Sequence, residues 1–538
     1  MTYSIYSAGS GNALLSASTL LVLLFRCFCE QTMKHRHAVL LLLLSIPSIT
    51  YAQTVTPTPA QNEAKVTNIA DRVKGRLRSL MATDKFPGAQ VGFVYVDGQT
   101  ADGKPRYVSG SVAIGVADLE TGSKLKTTDR LLAASIGKTF VATLTVMLVQ
   151  GGKLKLDDKI QTWLSSEPWF NQLPNAKDIT LRMLLNHSSG IENHADMSSF
   201  EKQALKSSAR NISYDELIAY VLKKKPLFPA GQGYNYSDTN YILVGMIIEK
   251  VTGRSLYELI DEKILKPFKL ERTIPSNALT LPEMSNGYLD DGPVIVNGKF
   301  RINPQWEWAG GGLASTAEDL ARWGHLLYEG EVLSPNGLDE MIKSTSSGEG
   351  ASYGLGVMIS RSNFGRTYGH DGDFPGYISD LRYYTKYRLT VAVMVNSDRQ
   401  SVIDQMSSAT DDFAQIIIRA TSSREVSATD QIKLKSLAEN WLALIYSGKM
   451  DEAWNFVSDR LSARFTKESW AVRMHQFLDQ TGRVKSRTFN SIFYSDPIAE
   501  TVTIRYESSF TKLTASTETL VLEKQGGEWR VSSYSIHS

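Results

Sequence analysis

Ser135 and Lys138 stand three residues apart in the run Leu131-Leu-Ala-Ala-Ser135-Ile-Gly-Lys138. On a helix, positions i and i+3 share a face, so a hydroxyl and an amine at this spacing can meet. An amine beside a serine eases removal of the hydroxyl proton and makes the oxygen a nucleophile. From Thr139 to Leu148 the chain is apolar or hydroxylic on every face, the pattern of a buried helix. A lysine at the mouth of such a helix needs a partner, because a lone ammonium in an apolar site gives up its proton or costs several kcal/mol. The competing reading is plain: Ser-x-x-Lys is a short pattern, and a serine ahead of a helix commonly serves only as its N-cap.

Other chemistry-bearing residues recur along the chain. Phe228-Pro-Ala-Gly leads through loop-forming residues to Tyr236-Ser-Asp238, just ahead of the apolar helix Ile242 to Ile248. Trp306 and Trp308 precede Gly310-Gly-Gly312, which lacks the Lys-Ser/Thr of a phosphate loop. Ala133-x-Ser135-x-Gly137 matches only half of the hydrolase nucleophile elbow. Tyr368-Gly-His370-Asp-Gly372-Asp373 runs into Phe-Pro-Gly376. The eight histidines are scattered without metal-ligand spacing, and both cysteines, Cys27 and Cys29, lie near the N-terminus. No metal and no cofactor are therefore expected, and His187, His194, His325 and His475 read as structural or surface residues. With 58 Lys and Arg against 56 Asp and Glu, there is no electrostatic case for a nucleic-acid partner.

The elements that must position these residues follow from periodicity. Ile69 to Met81 has helical spacing, with Arg72, Lys74, Arg76 and Arg78 on its polar face. Gln90–Val96 and Arg106–Gly115 read as a hairpin that leads to the Ser135 helix. The span Leu154 to Tyr257 is helical in pattern. Ser315-Thr-Ala-Glu318 reads as a capping box for a helix Asp319 to Leu327, and strands Ile378–Tyr384 and Leu389–Asn396 precede a helix over 401–420. Antiparallel strands running straight into a buried helix make this an α+β layout, an antiparallel sheet flanked by helices with a helical subdomain. Residues 421–428 form a polar joint to a small α+β module over 429–538. Its helices span 431–446 and 468–478, its strands lie near 484–493, 501–506, 518–523 and 528–536, and Trp441, Trp454, Trp470 and Trp529 read as its core.

The first 52 residues read as a leader. Lys34, His35 and Arg36 precede the apolar run Ala38 to Ile46, and Thr50-Tyr-Ala52 gives a small-x-small cleavage pattern. Met33–Ala52 is thus expected to be a signal peptide, with residues 1–32 an over-extended start and 53–66 a Thr/Pro/Gln/Ala tether. The earlier run Ala13 to Phe25 is too short to span a bilayer, which takes about 20 residues. A periplasmic or secreted protein with no stable transmembrane span is expected.

Five motifs in one order, Ser135-x-x-Lys138, Leu184-Leu-Asn-His187-Ser-Ser-Gly190, Tyr236-Ser-Asp238, Ala309-Gly-Gly-Gly-Leu-Ala-Ser315 and His370-Asp-Gly372, resemble the serine β-lactamase and penicillin-recognising superfamily. The likeness is to its class C-like branch of D-Ala-D-Ala peptidases, D-aminopeptidases and esterases, and covers roughly residues 65–420. It implies Ser135 as nucleophile of an acyl-enzyme, Lys138 and Tyr236 sharing proton transfer, and backbone N–H groups of Ser135 and Asp373 as oxyanion donors, with Gly372 and His370 shaping the site. Two departures are visible. Asp238 stands where the family usually has asparagine, and keeps an acceptor while losing a donor. His370 stands where dedicated class C β-lactamases carry lysine, which weakens attraction for a substrate carboxylate. The expectation is an exported serine hydrolase acting on esters, amides or D-amino-acid peptides, with a β-lactamase or D,D-carboxypeptidase as one alternative and a non-catalytic penicillin or muropeptide sensor as another. The C-terminal module resembles small domains with a cystatin-like or nuclear-transport-factor-like cone.

Overall fold

The computed structural model describes residues 59–100, 102–206, 210–346, 352–421, 426–496, 500–513 and 516–537. The expected leader and signal peptide, both cysteines, the start of the expected tether and half of the polar joint lie outside the described residues.

The first helix, α1, spans Pro59–Asp84 and starts earlier than its apolar pattern suggested. Residues 59–66, expected to be tether, form its opening turns. Proline is tolerated at a helix start, where its missing N–H has no intrahelical partner, and Ala60, Gln61, Glu63, Ala64 and Lys65 are good helix formers. Lys65 then reaches Asp97 at 3.1 Å, tying the early turns to the sheet.

Strands β1 (Gly88–Gln99) and β2 (Pro105–Gly115) form the expected hairpin, with Val91 opposite Val112. The Ser135 region follows as a 3₁₀ turn, Ala134–Ile136, that runs into α2 (Gly137–Gln150). Further on come α3 (Asp238–Thr252) and α4 (Ala317–Tyr328). Then follow β3 (Met358–Ser362), β4 (Gly365–Phe374), β5 (Tyr377–Tyr384), β6 (Leu389–Val395) and α5 (Gln400–Thr421). The sheet has eight antiparallel strands, in the order Thr345–Ser346, Ser352–Tyr353, β3, β4, β5, β6, β1, β2. The last strand laid down by this half, β6, thus pairs with its first, β1.

Two apolar cores sandwich the sheet. On one face, Ile69, Val73 and Leu77 of α1 meet Phe413, Ala414 and Ile417 of α5 across Val91, Val391 and Val393. On the other face lie α4, α2 and the helical part around α3. The start of α4 differs from expectation: Thr316, not Ser315, is the N-cap and accepts from the Asp319 N–H at 3.2 Å. Ser315 instead ends a short strand, Leu313–Ser315, and its hydroxyl pairs with Thr273 at 2.8 Å. The chain is still extended there, so the helix cannot begin at that residue.

The C-terminal unit has α6 (Ala428–Tyr446), two short helices at Met450–Trp454 and Asp459–Ser462, and α7 (Lys467–Thr481). Strands β7 (Val484–Asp496), β8 (Thr501–Phe510), β9 (Ser516–Gln525) and β10 (Glu528–His537) form an antiparallel meander. Its core gathers Trp441, Trp470, Leu442, Ile504, Leu522 and Trp529, while Trp454 is half-buried against it. Among the described residues, no helix is long and apolar enough to cross a membrane.

Helix α2 is held against α4 by an aromatic pair. Trp323 of α4 stacks on Phe140 of α2 with ring centroids 4.2 Å apart, and its indole N–H donates to Thr139 at 2.8 Å. Both rings are fully buried. Trp323→Ala is expected to lower unfolding stability by about 3–5 kcal/mol in urea titrations, since it leaves a cavity where a fully buried ring stood.

Candidate active site

Ser135 occupies the 3₁₀ turn before α2, and its side chain caps nothing: the N-cap of α2 is Ile136, with helical dihedrals and no side-chain cap bond. The bland reading of this serine is therefore excluded. Its hydroxyl oxygen instead accepts from Lys138 Nζ at 2.9 Å. The preceding residue, Ala134, sits at φ +47°, and two other residues that frame the site, His187 and Trp308, have φ of +60° and +38°. Such left-handed backbone costs energy for non-glycine residues and persists only where surrounding packing enforces it.

Lys138 is fully buried and donates to three acceptors, Ser135 Oγ, Asp238 Oδ1 and the Gly310 carbonyl. An ammonium has three N–H donors, so every one is used and no lone pair remains. Asp238 opens α3, and Asn193 fixes it by accepting from its backbone N–H at 2.9 Å. Burial pushes the Asp238 carboxyl up, but the Lys138 charge and hydrogen bond outweigh burial and hold it below the usual carboxylate range. The departure to aspartate noted in the sequence thus builds an ion pair between the fully buried Lys138 and the half-buried Asp238, directly behind Ser135.

Tyr236 reaches the same point from the loop before α3. Its ring lies 4.9 Å from Lys138 Nζ and 4.3 Å from the His187 ring. Its buried hydroxyl has no hydrogen-bond partner of normal geometry. Burial, followed by the Asp238 charge, holds the phenol well above its ordinary pKa, with Ser135 acting in the opposite direction. His187 is structural, as expected, but wholly buried. Its Nδ1 accepts from the Ser237 N–H at 3.1 Å, so the ring is neutral, and burial depresses its pKa further.

Two glycine contacts bring these elements together. A Cβ on Gly311 would lie 2.6 Å from the Ala134 carbonyl carbon, and one on Gly372 would lie 2.4 Å from the Ala133 carbonyl oxygen. Only bare backbone lets the Gly310–Gly312 run and β4 close on the Ser135 turn from two sides. On β4 the ladder to β3 ends at Gly369, which pairs with Met358, so residues 370–374 have a free edge on that side. The alternation of an antiparallel ladder, closed here by the Phe374–Tyr377 pair, turns the Asp373 backbone N–H toward that edge. This is the placement an oxyanion donor needs.

His370 is placed differently from the expectation of a group that meets substrate. It is buried, its Nδ1 pairs with the Asp371 carbonyl at 2.6 Å, and its Nε2 accepts from Tyr353 at 2.7 Å. Burial, followed by the Lys138 charge, pushes its pKa down to about 3. It is a neutral support behind the strand and attracts no carboxylate. The strand's alternation sends its neighbours Asp371 and Asp373 into the cleft instead.

That cleft, about 590 Å³, is acidic. Ser135 shares it with Asp196, Asp238, Glu307, Asp371 and Asp373, and no lysine or arginine lines it among the described residues. The walls of the cleft push the Asp371 and Asp373 carboxyls up to about 6, helped by Asp380 for the first and Asp398 for the second. Glu307 was not anticipated from the sequence. It is buried, its Oε2 has no partner, and burial drives its pKa up to about 8, with Lys138 opposing and Asp238 and Asp373 adding. An acid lodged between Trp306 and Trp308 was the available clue. At neutral pH Glu307 is a neutral carboxylic acid, and Asp371 and Asp373 carry unpaired negative charge.

Comparison with known proteins finds relatives for both parts of the chain. The family model described as Beta-lactamase matches residues 73–409, and one described as a protein of unknown function, DUF4019, matches residues 437–534. A penicillin-binding protein of Bacillus subtilis (strain 168) is 26% identical over 54% of this chain and 66% of its own length. A D-aminopeptidase of Brucella anthropi is 26% identical over 53% of each chain. The chain thus spans about half to two thirds of the length of these curated relatives. Among solved structures, a D-stereospecific amidohydrolase from Streptomyces sp. matches at 27% identity and TM-score 0.52, covering 64% of this chain and 98% of that one. The D-amino acid amidase from Ochrobactrum anthropi SV3, at 22% identity and TM-score 0.54, shares the fold over 67% of this chain and 100% of its own.

Two substitutions separate stability from chemistry here. Lys138→Met leaves the half-buried Asp238 carboxylate without its partner and is expected to cost about 1–3 kcal/mol in denaturant titrations. The double variant Lys138→Met/Asp238→Asn is expected to recover most of that loss while Ser135 stays unreactive to a fluorophosphonate probe. Glu307 gives a pH signature. Its folded-state pKa lies above the unfolded value, so the folded chain keeps a proton that the unfolded chain loses, and stability falls as pH rises from about 4.5 to about 8. Glu307→Gln removes this dependence, so the melting temperature of the parent relative to the variant is expected to fall across that window.

Proposed function

The chain belongs to the β-lactamase family, and on that footing we propose an exported serine hydrolase that acylates Ser135 and releases the acyl group to water, acting on amides, esters or peptides of amino acids with a free ammonium group near the scissile bond. The observation that carries the choice of substrate is the acidic cleft, with Asp371 and Asp373 beside Ser135 and no cation left unpaired. A carboxylate-bearing substrate, whether a penicillin or a peptide ending in a free carboxylate, would enter against that charge, and His370 offers nothing to offset it. An ammonium would be drawn in. The D-aminopeptidase and D-stereospecific amidohydrolase relatives support the same substrate class.

In the proposed reaction Lys138 stays an ammonium. Its bond to Ser135 Oγ stabilises negative charge as the serine oxygen attacks the carbonyl carbon. Tyr236 enters as the protonated phenol that burial favours. It passes its proton to the leaving nitrogen or oxygen while taking the proton of Ser135, so one relay both activates the nucleophile and releases the leaving group. The backbone N–H groups of Ser135 and Asp373 receive the oxyanion. Water entering the vacated leaving-group position returns along the same relay and frees the acid product. Export rests on the signal-peptide pattern of Met33–Ala52.

A panel of D-alanine p-nitroanilide, its N-acetyl form, p-nitrophenyl butyrate, nitrocefin and D-Ala-D-Ala peptides, run beside Ser135→Ala, tests this. The free amine is expected to exceed its acetylated form by at least about tenfold in kcat/KM, as removal of one attractive charge pair in a cleft implies. Ser135→Ala is expected to lose roughly a thousandfold or more. For the amine, kcat/KM is expected to rise with pH through about 6 as Asp371 and Asp373 ionise. Nitrocefin or a carboxylate-ended peptide as the best substrate would reverse the charge argument. Acylation with no turnover on any substrate would favour the sensor reading.

A further inference from the structure

The C-terminal unit, whose matching family model carries no function, encloses a second cavity of about 440 Å³. It opens between α7, the turn after Asp459–Ser462, and β10. Its walls are aromatic. Tyr534 meets Trp441 edge to face at 5.5 Å and Phe477 at 5.4 Å, and Trp470 lies 6.2 Å from Trp441. Rings in this arrangement present broad apolar surface at little entropic cost, which suits the body of a ligand rather than a row of waters.

Behind the wall lies a closed polar network. Glu518 is fully buried and accepts from Arg487 at 2.5 and 2.9 Å, from Ser508, and from the Tyr534 hydroxyl at 2.5 Å. Tyr446 pairs with the same Tyr534 hydroxyl at 2.7 Å. Burial raises the Glu518 carboxyl, yet Arg487 and these hydroxyls bring it below its ordinary range. Its charge is compensated in place, and the network's cost of assembly is spent on fixing Tyr534 as the cavity wall. The Glu518 site therefore contributes no free charge to the cavity.

The mouth is different. Arg464 and Arg473 line it, no aspartate or glutamate does, and neither arginine has an ion-pair partner among the described residues. Arg473 is held with its guanidinium 5.2 Å over the Phe465 ring, which directs it to the rim. Gln476, Gln480 and Ser533 complete the rim with neutral hydrogen-bonding groups. Two planar, permanently charged donors over an aromatic cavity match one chemistry, an oxyanion head carrying an apolar body. The contrast with the hydrolase cleft is complete: that site selects positive charge, this one negative.

We propose that this cavity binds an amphiphilic anion, a carboxylate or phosphate ester with its head at Arg464 and Arg473 and its apolar body between Trp441, Trp470 and Phe477. Free amphiphiles and membrane lipids share that chemistry, and the test separates them. With the full chain, 1-anilinonaphthalene-8-sulfonate fluorescence is titrated and then displaced by decanoate, dodecyl phosphate, decanol, dodecyltrimethylammonium or phosphatidylglycerol vesicles. The two single-chain anions are expected to displace the dye at concentrations at least about tenfold below the cationic and neutral chains, as an uncompensated pair of charges in a partly apolar site implies. Arg464→Gln/Arg473→Gln is expected to abolish that preference while leaving hydrolysis at Ser135 and the melting temperature unchanged, because both side chains are exposed. Displacement by vesicles but not by monomeric decanoate or dodecyl phosphate assigns the site to a lipid headgroup and also supports the proposal. Equal displacement by anionic, neutral and cationic chains, or an anion preference that survives in the double variant, overturns it.

Discussion

Everything at the site depends on one buried ammonium. Lys138 has no solvent access, and an isolated charge in such a place would shed its proton or unfold its surroundings. Three acceptors from three separate parts of the chain prevent this: Ser135 in the nucleophile turn, Asp238 at the head of α3, and the Gly310 carbonyl in the glycine run. A charge satisfied in this manner specifies geometry more than it adds stability, because most of the Coulombic gain offsets desolvation. The serine oxygen is held at a fixed place in the cleft by the same contacts that keep the lysine charged.

That requirement sets constraints far from the lysine. The glycine run and β4 must come within backbone contact of the nucleophile turn, which is why Gly311 and Gly372 cannot carry a side chain. Ala134, His187 and Trp308 hold left-handed backbone around the same point, and the stacked Trp323 and Phe140 keep α2 seated on α4 while they do so. Neutral histidines complete the support. His187 and His370 each use a ring nitrogen as acceptor from a fixed donor, so neither adds positive charge beside Lys138. The cleft is consequently short of cations, and the acids that the alternation of β4 turns into it are unopposed. The acidity of the opening follows from the way the interior charge is neutralised.

The C-terminal unit solves a comparable problem in another way. Its buried Glu518 is neutralised by Arg487 and hydroxyls inside the sheet, which leaves two arginines at the rim of an aromatic cavity without acidic neighbours. The two halves of the chain thus present concave surfaces lined by charges of opposite sign.

Much of this was legible in the residues. The helix around Lys138, the hairpin before it, the last two strands and the long helix after them, and the helices and meander of the C-terminal unit all follow from period and turn chemistry, because the apolar faces they bury repeat locally. The pairing of β6 with β1 is not local, and neither is the N-cap of α4, where a strand extends one residue further than its own sequence suggests. Residues 59–66 show the opposite failure. A composition that reads as tether becomes helix once Lys65 has Asp97 to dock on. The sequence by itself singled out the candidate residues for the chemistry, since Ser135, Lys138, Tyr236 and Asp238 are marked by type and order. Only the tertiary structure decided that His370 faces inward, that Asp371 and Asp373 face the cleft, and that Glu307 is buried and protonated. The reason is physical: the charge and direction of an ionisable side chain depend on neighbours brought from distant parts of the chain, and no local pattern encodes them.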